Sequence, residues 1–211
     1  MWGYETEEQQ IEAIKQFWKR YGSWLVSGVV AIILVWFGWQ YWQERQIENR
    51  SQASTAYQQV LESLADEQRE TANLQARQII GTYPNTPYAQ LSALILADLA
   101  VENNDLQQAE QQLEWAASNG TDVAIGYIAQ LRLARIYLAD NKLDAALKIV
   151  QTIDDETFSP TAKAIEGDVW VAKGDIDAAR TAYQIALENL TPDNPWYELV
   201  SMKLVNLPTS S

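Results

Sequence analysis

The 211-residue chain contains no cysteine and no histidine. The first absence removes disulfides, thiol nucleophiles and cysteine-held metal sites. The second removes Ser-His-Asp triads, imidazole metal ligands and histidine acid–base chemistry. Glycine is sparse: nine residues stand scattered and single, so no Gly-rich phosphate loop is present. Basic residues number 15 against 28 acids, for a net charge of −13, and nowhere do they form a patch. A nucleic-acid or anionic-lipid binder needs one. No stretch alternates β-branched and polar residues as a strand would. Carboxylates alone could carry acid–base work. Their densest group, Asp154, Asp155 and Glu156, lies between two helical stretches. A catalytic pair needs a cleft that drives two pKa values apart, and a charged interhelical loop is the simpler reading. The sequence therefore predicts a non-enzymatic, all-α protein with no cofactor, metal or small-molecule substrate.

Charge is missing in one further place. Tyr21 to Gln43, YGSWLVSGVVAIILVWFGWQYWQ, carries none over 23 residues. As a helix it would extend ~34 Å, enough for a hydrocarbon core of ~30 Å. Trp24 stands near one end, and Trp36, Trp39, Tyr41 and Trp42 cluster at the other, where amphipathic rings prefer the headgroup level. A cleaved signal peptide would have a shorter apolar run of ~7–15 residues and a small-residue cleavage site after it. The sequence thus predicts a transmembrane helix over 21–43, a tail over 1–20 and a domain over 44–211. Lys15, Lys19 and Arg20 precede the span, and Arg45 and Arg50 follow it. This positive-inside bias places the N-terminus in the cytoplasm and the domain outside.

In the tail, Ile11, Ile14, Phe17, Trp18 and Tyr21 recur at helical spacing and form one apolar face. The 168-residue domain holds 24 of the 28 acids and 12 of the 15 Lys and Arg, a formal charge of −12. It is long enough for a core of its own. Turn signals at Gly81–Pro87, Asn103–Asn104, Asn119–Gly120, Asp140–Asn141, Asp154–Pro160, Lys173–Gly174 and Thr191–Pro195 divide it into helices.

These helices repeat. Asn104-Asp105-Leu106, Asn141-Lys142-Leu143 and Gly174-Asp175-Ile176 align, with Ala109, Ala145 and Ala146, and Ala178 and Ala179 following. The separations, 37 and 33 residues, bracket the 34 of a tetratricopeptide repeat. Gly167, Trp170, Gly174, Ala179, Tyr183, Ala186 and Pro192 of the third copy resemble that repeat most plainly. Leu133, Ala134 and Tyr137 resemble it in the second. About three degenerate hairpins are expected, stacked because one hairpin cannot bury its own apolar face. Lys163 and Glu166 stand where large apolar residues are usual, which predicts loose packing of the third copy's first helix. Asn194 to Leu207 reads as a capping helix.

The order of tail, span and repeats resembles the YfgM family. The resemblance rests on Glu12-Ala13-Ile14-Lys15-Gln16-Phe17-Trp18, Gly38-Trp39-Gln40-Tyr41-Trp42, Leu131-Arg132-Leu133-Ala134-Arg135 and Lys173-Gly174-Asp175. It implies a single-pass inner-membrane protein of Gram-negative bacteria with a periplasmic repeat domain. It further implies a scaffold ancillary to the Sec translocon, associated with a membrane-anchored chaperone of the PpiD type and passing secreted clients to periplasmic chaperones. A membrane-tethered assembly factor for another envelope complex, such as a pilus or cytochrome-maturation system, is the alternative.

The resemblance also implies a concave face lined by the first helix of each hairpin. Its groove positions fall on Leu91, Leu94, Asp98 and Val101, then Ile128, Leu131, Arg135 and Leu138, then Thr161, Ala164, Asp168 and Val171. These are mostly apolar, unlike a Lys- and Asn-bearing carboxylate clamp, and suit a partner helix or an extended apolar segment. Filling of this groove by the capping helix or by residues 44–65 is equally compatible with the sequence. In the span, Ser23, Ser27 and Ala31 recur every fourth residue with Gly28 beside them, a small-residue stripe that lets membrane helices pack closely.

Overall fold

The computed structural model describes residues 7–208; within the first helix the side chains of residues 7–14, 16, 22–23, 25–26 and 29–31 fall outside the described set. Nine α-helices and no strand occur among the described residues: α1 Glu7–Ala65, α2 Arg69–Thr82, α3 Pro87–Glu102, α4 Leu106–Asn119, α5 Val123–Ala139, α6 Leu143–Val150, α7 Ser159–Lys173, α8 Ile176–Glu188 and α9 Pro195–Val205. The chain divides into two units, Met1–Asn49 and Arg50–Ser211.

The first unit is helical through the expected span. Its described apolar side chains from Ile32 to Trp42 are exposed, with Trp36 against Phe37 at 5.2 Å and Trp39 against Trp42 at 5.6 Å between ring centroids. Among the described residues no helix is long and apolar enough to cross a membrane. Leu25, Val26, Val29, Val30 and Ala31 of the expected span have side chains outside that set, as do Ile11 and Ile14 of the tail face.

The second unit is a stack of helical hairpins, one more than the three expected. Its first hairpin joins the last turns of α1 to α2, where Ala53, Val60, Ala72, Ala76 and Ile79 are buried and Ser63 Oγ donates to Gln75 Oε1 at 2.9 Å. The four turns within hairpins share one geometry. Glu67 (φ 59°), Asn104 (58°), Asn141 (57°) and Gly174 (82°) are left-handed. The next N–H donates back five residues in each, from Gln68 to Ser63 (2.8 Å), Asp105 to Ala100 (2.8 Å), Lys142 to Tyr137 (2.7 Å) and Asp175 to Trp170 (3.0 Å). This is the helix-ending motif that satisfies otherwise orphaned carbonyls. Asparagine and glycine tolerate the left-handed region, which is why three of the four turns are legible in the sequence. Glutamate at 67 hides the fourth.

Alanine sets the spacing. Ala72, Ala109, Ala146 and Ala179 occupy one register position at the start of each second helix, and none is exposed. A side chain no longer than a methyl lets each helix lie close to its neighbours. The chain also starts α3, α5, α7 and α9 at Pro87, Val123, Ser159 and Pro195, each 36 residues after the last. Thr86, Asp122 and Asn194 cap three of these, their side chains accepting from Ala89, Ala124 and Trp196 N–H. The capping helix α9 is thus the first helix of a further hairpin. Its Val200 is buried with Ala164, Ala179, Tyr183 and Ala186.

The loose packing expected of α7 does not occur. Ala162, Ile165 and Val169 are buried, and Glu166 is buried with partners: Lys163 Nζ at 2.7 Å and Gln151 Nε2 at 3.3 Å. A paired, hydrogen-bonded carboxylate is tolerated where a lone one would not be.

Candidate interaction surface

The first helices α3, α5 and α7 carry the groove positions read from the sequence, and the structure sorts them into two layers. Leu94 and Leu131 are core residues of one cluster, 6% and 7% exposed, and Ala164 is buried in another, beside α8 and α9. Leu91, Ile128 and Leu138 are half-buried and pack on the same core. Thr161 is half-buried. Val101 and Val171 are exposed.

The charged positions are engaged across helices. Arg132 Nη1 on α5 donates to both oxygens of Asp98 on α3 at 2.8 Å. Asp168 on α7 accepts from Tyr183 Oη at 2.6 Å and from Lys203 Nζ of α9, which lies 2.7 Å from both carboxylate oxygens. The Arg135 guanidinium lies 4.8 Å from the Trp196 ring centroid, a cation–π contact from α5 to the start of α9. Burial lowers the Arg135 pKa, against the raising influence of Asp168. Tyr183 is pushed well above its ordinary value, chiefly by burial and then by its hydrogen bond to Asp168. Two anchors, Lys203 and Trp196, therefore hold α9 at the end of the first-helix row.

Two groups that hold the stack were not read from the sequence. Gln90 is a buried amide on α3. Its Nε2 donates to Ala116 O and Asp122 O, both at 3.0 Å, and its Oε1 accepts from Asp122 N–H at 2.9 Å. It closes the loop between α4 and α5, and a Cβ on Gly120 would strike it. The available signal was a glutamine within the largely apolar α3. The second group is Tyr183 with Asp168 and Lys203. Asp168 appeared as a groove residue, but its partners lie 15 and 35 residues away.

Of the carboxylates considered for catalysis, Asp155 caps its own turn, accepting from Thr157 N–H at 2.9 Å, while Asp154 and Glu156 are exposed. Among the described residues no group of His, Cys, Asp and Glu could hold a metal. In the first unit Ser27 and Gly28 are exposed on α1; Ser23 and Ala31 have side chains outside the described residues.

A family profile described as a tetratricopeptide repeat-like domain matches residues 15–209. The chain is 30% identical over 205 residues to the ancillary SecYEG translocon subunit of Escherichia coli K12, covering 97% of this chain and 98% of that one. It is 34% identical over 202 residues to the protein of that name from Aggregatibacter actinomycetemcomitans, covering 95% and 97%. To that from Haemophilus influenzae it is 32% identical over 202 residues, with the same coverage. A match over nearly the whole length, together with the repeat geometry, shows that the chain belongs to the YfgM family of tetratricopeptide repeat-like proteins.

Proposed function

We propose that this protein is a non-enzymatic scaffold of the bacterial inner membrane, ancillary to the Sec translocon. The carrying observation is whole-length similarity to relatives named as ancillary SecYEG translocon subunits. Residues 21–43 span the bilayer, residues 1–20 are cytoplasmic, and the repeat domain is periplasmic. The uncharged run, its flanking aromatic residues and the exposed side chains of 32–42 support the span. The stripe Ser23, Ser27, Gly28 and Ala31 is the face on which a neighbouring membrane helix packs.

The domain holds a PpiD-type chaperone or a secreted client near the translocon exit. Asp98, Val101, Arg135 and Val171 supply the accessible part of the contact face, with Leu94 and Leu131 beneath it. Single-pass anchoring favours this role, because tethering raises the local concentration of a weakly held partner. A photocrosslinker at Ser27 and another at Val101, in native membranes, test it. SecY or a PpiD-type protein should be captured from these positions. Capture of neither, with the protein correctly inserted, overturns the reading. Protease added to spheroplasts should digest the domain, and protection until lysis would reverse the topology.

A further inference from the structure

Each first helix reuses the same positions relative to its left-handed turn residue. Seven residues before that turn stand Val60, Ala97, Ala134 and Gly167, all buried. Sixteen residues further on, on the second helix, stand Ala76, Leu113, Val150 and Tyr183, also buried. Val60 and Ala76 share one core cluster; Ala97, Leu113, Ala134 and Val150 share another. A Cβ on Gly167 would come within 2.4 Å of the Tyr183 ring. The pairs are complementary in size: valine meets alanine, alanine meets leucine or valine, and glycine meets tyrosine.

Helix α9 presents the same face. Lys203 on Asp168 repeats Arg132 on Asp98, and Val200 takes the buried place of Ser92, Ala129 and Ala162. In that register Met202 corresponds to Leu94, Leu131 and Ala164, and Val205 to Val60, Ala97, Ala134 and Gly167. Burial departs at this point. Met202 is 56% exposed and Val205 79%. With Tyr197, Glu198, Ser201 and Asn206 they line a shallow depression of about 320 Å³. Among the described residues no helix covers it. A solenoid end is ordinarily polar; this one is apolar at the two positions that the α3, α5 and α7 hairpins bury.

The geometry points to α9 as the seat of a helix from another protein, lying across Met202 and Val205 as a second helix lies across the first in each hairpin. The size rule sets its chemistry. Valine on a first helix is matched by alanine, as Val60 is by Ala76. The occupant is an amphipathic helix with alanine at i and i+4 and a branched aliphatic residue at i+7, the pattern of Ala72, Ala76 and Ile79 in α2. A second copy of this chain fits poorly. It would bring its own Met202 and Val205 where alanines are needed, between two domains each of formal charge −12. The inference rests on repeat geometry and is independent of the translocon reading.

The probe is a synthetic peptide of residues 66–83 with benzoylphenylalanine in place of Asn73, added to the full-length protein in detergent micelles. Saturable binding and a photoadduct on α9 are expected. Val205→Glu in the protein, or Ala76→Leu in the peptide, should each weaken binding about tenfold, with the helicity of the protein unchanged. Four results overturn the proposal: no saturable binding, an adduct on α1 in place of α9, indifference to both substitutions, or a dimer by light scattering that Val205→Glu dissociates.

Discussion

Gly167→Ala is the sharpest test of the packing rule that links the hairpins. Alanine is a better helix former than glycine by about 1 kcal/mol, so propensity alone favours the change. The added Cβ would lie 2.4 Å from Tyr183 Cε1, 2.5 Å from Cδ1 and 2.9 Å from Cζ. Ordinary contact requires the ring to retreat by about 1 Å. The ring is buried and its hydroxyl is held by Asp168 at 2.6 Å, so retreat sacrifices a hydrogen bond to a charged group, worth about 1.5–3 kcal/mol. Overpacking adds about 1–3 kcal/mol. After the propensity gain, the net loss is about 1.5–5 kcal/mol, or roughly 3–20 °C in Tm for a chain of this size. Tyr183→Leu alone loses ring contacts and the hydroxyl. In the Gly167→Ala background it should cost less, because alanine with leucine is the pairing found at Ala97 and Leu113. Urea and thermal unfolding of the wild type, both single variants and the double variant give the coupling, expected at about 1–2 kcal/mol in favour of the double variant. A Gly167→Ala protein as stable as wild type, or strictly additive effects, would refute the size rule.

Other substitutions probe separate parts of the stack. Gln90→Leu removes three hydrogen bonds and strands Ala116 O and the Asp122 N–H, while Asp122 O keeps the Gly126 N–H at 3.1 Å, so unfolding free energy should fall by about 2–4 kcal/mol in urea titrations. Glu67→Gly relieves a left-handed glutamate and should raise stability by up to about 1 kcal/mol, visible as a Tm a few degrees higher. The Tyr183 phenol has a folded pKa raised above its unfolded value near 10, so the stability it contributes is complete below pH 10 and lost as pH rises beyond it. Tyr183→Phe should flatten the fall of Tm between pH 10 and 11. A fall of equal steepness in the variant would assign the alkaline sensitivity to another group.

Helices, their turns and the repeat were legible because they depend on local chemistry. Asn104, Asn141 and Gly174 announce left-handed turns, and Ala109, Ala146 and Ala179 announce close helix approach. The first hairpin was not legible, since Glu67 carries no turn signal and α1 runs into it without a break. The groove positions were legible as a row on first helices, but not as two layers. Whether Leu94 faces a partner or the core depends on how far the next hairpin rotates, and no spacing along the chain encodes that. Glu166 illustrates the same limit from the other side. Read alone it suggests a gap, whereas Lys163, one turn before it, and Gln151, from the loop after α6, turn it into a satisfied buried group.

The charged groups follow a logic of their own. Arg132 with Asp98 and Lys203 with Asp168 each join one first helix to the next, at equivalent registers, although the first is an arginine and the second a lysine. Both pairs are partly exposed, so each contributes about 1 kcal/mol or less to stability. Their larger consequence is geometric. Such a pair fixes how far α5 slides against α3 and α9 against α7. At α5, Ala134 shares a core with Val150 of the second helix, whereas at α9 no described helix covers Val205. Weak pairs at fixed register therefore orient α9 on the stack, and the apolar face it leaves uncovered is where binding energy remains to be gained.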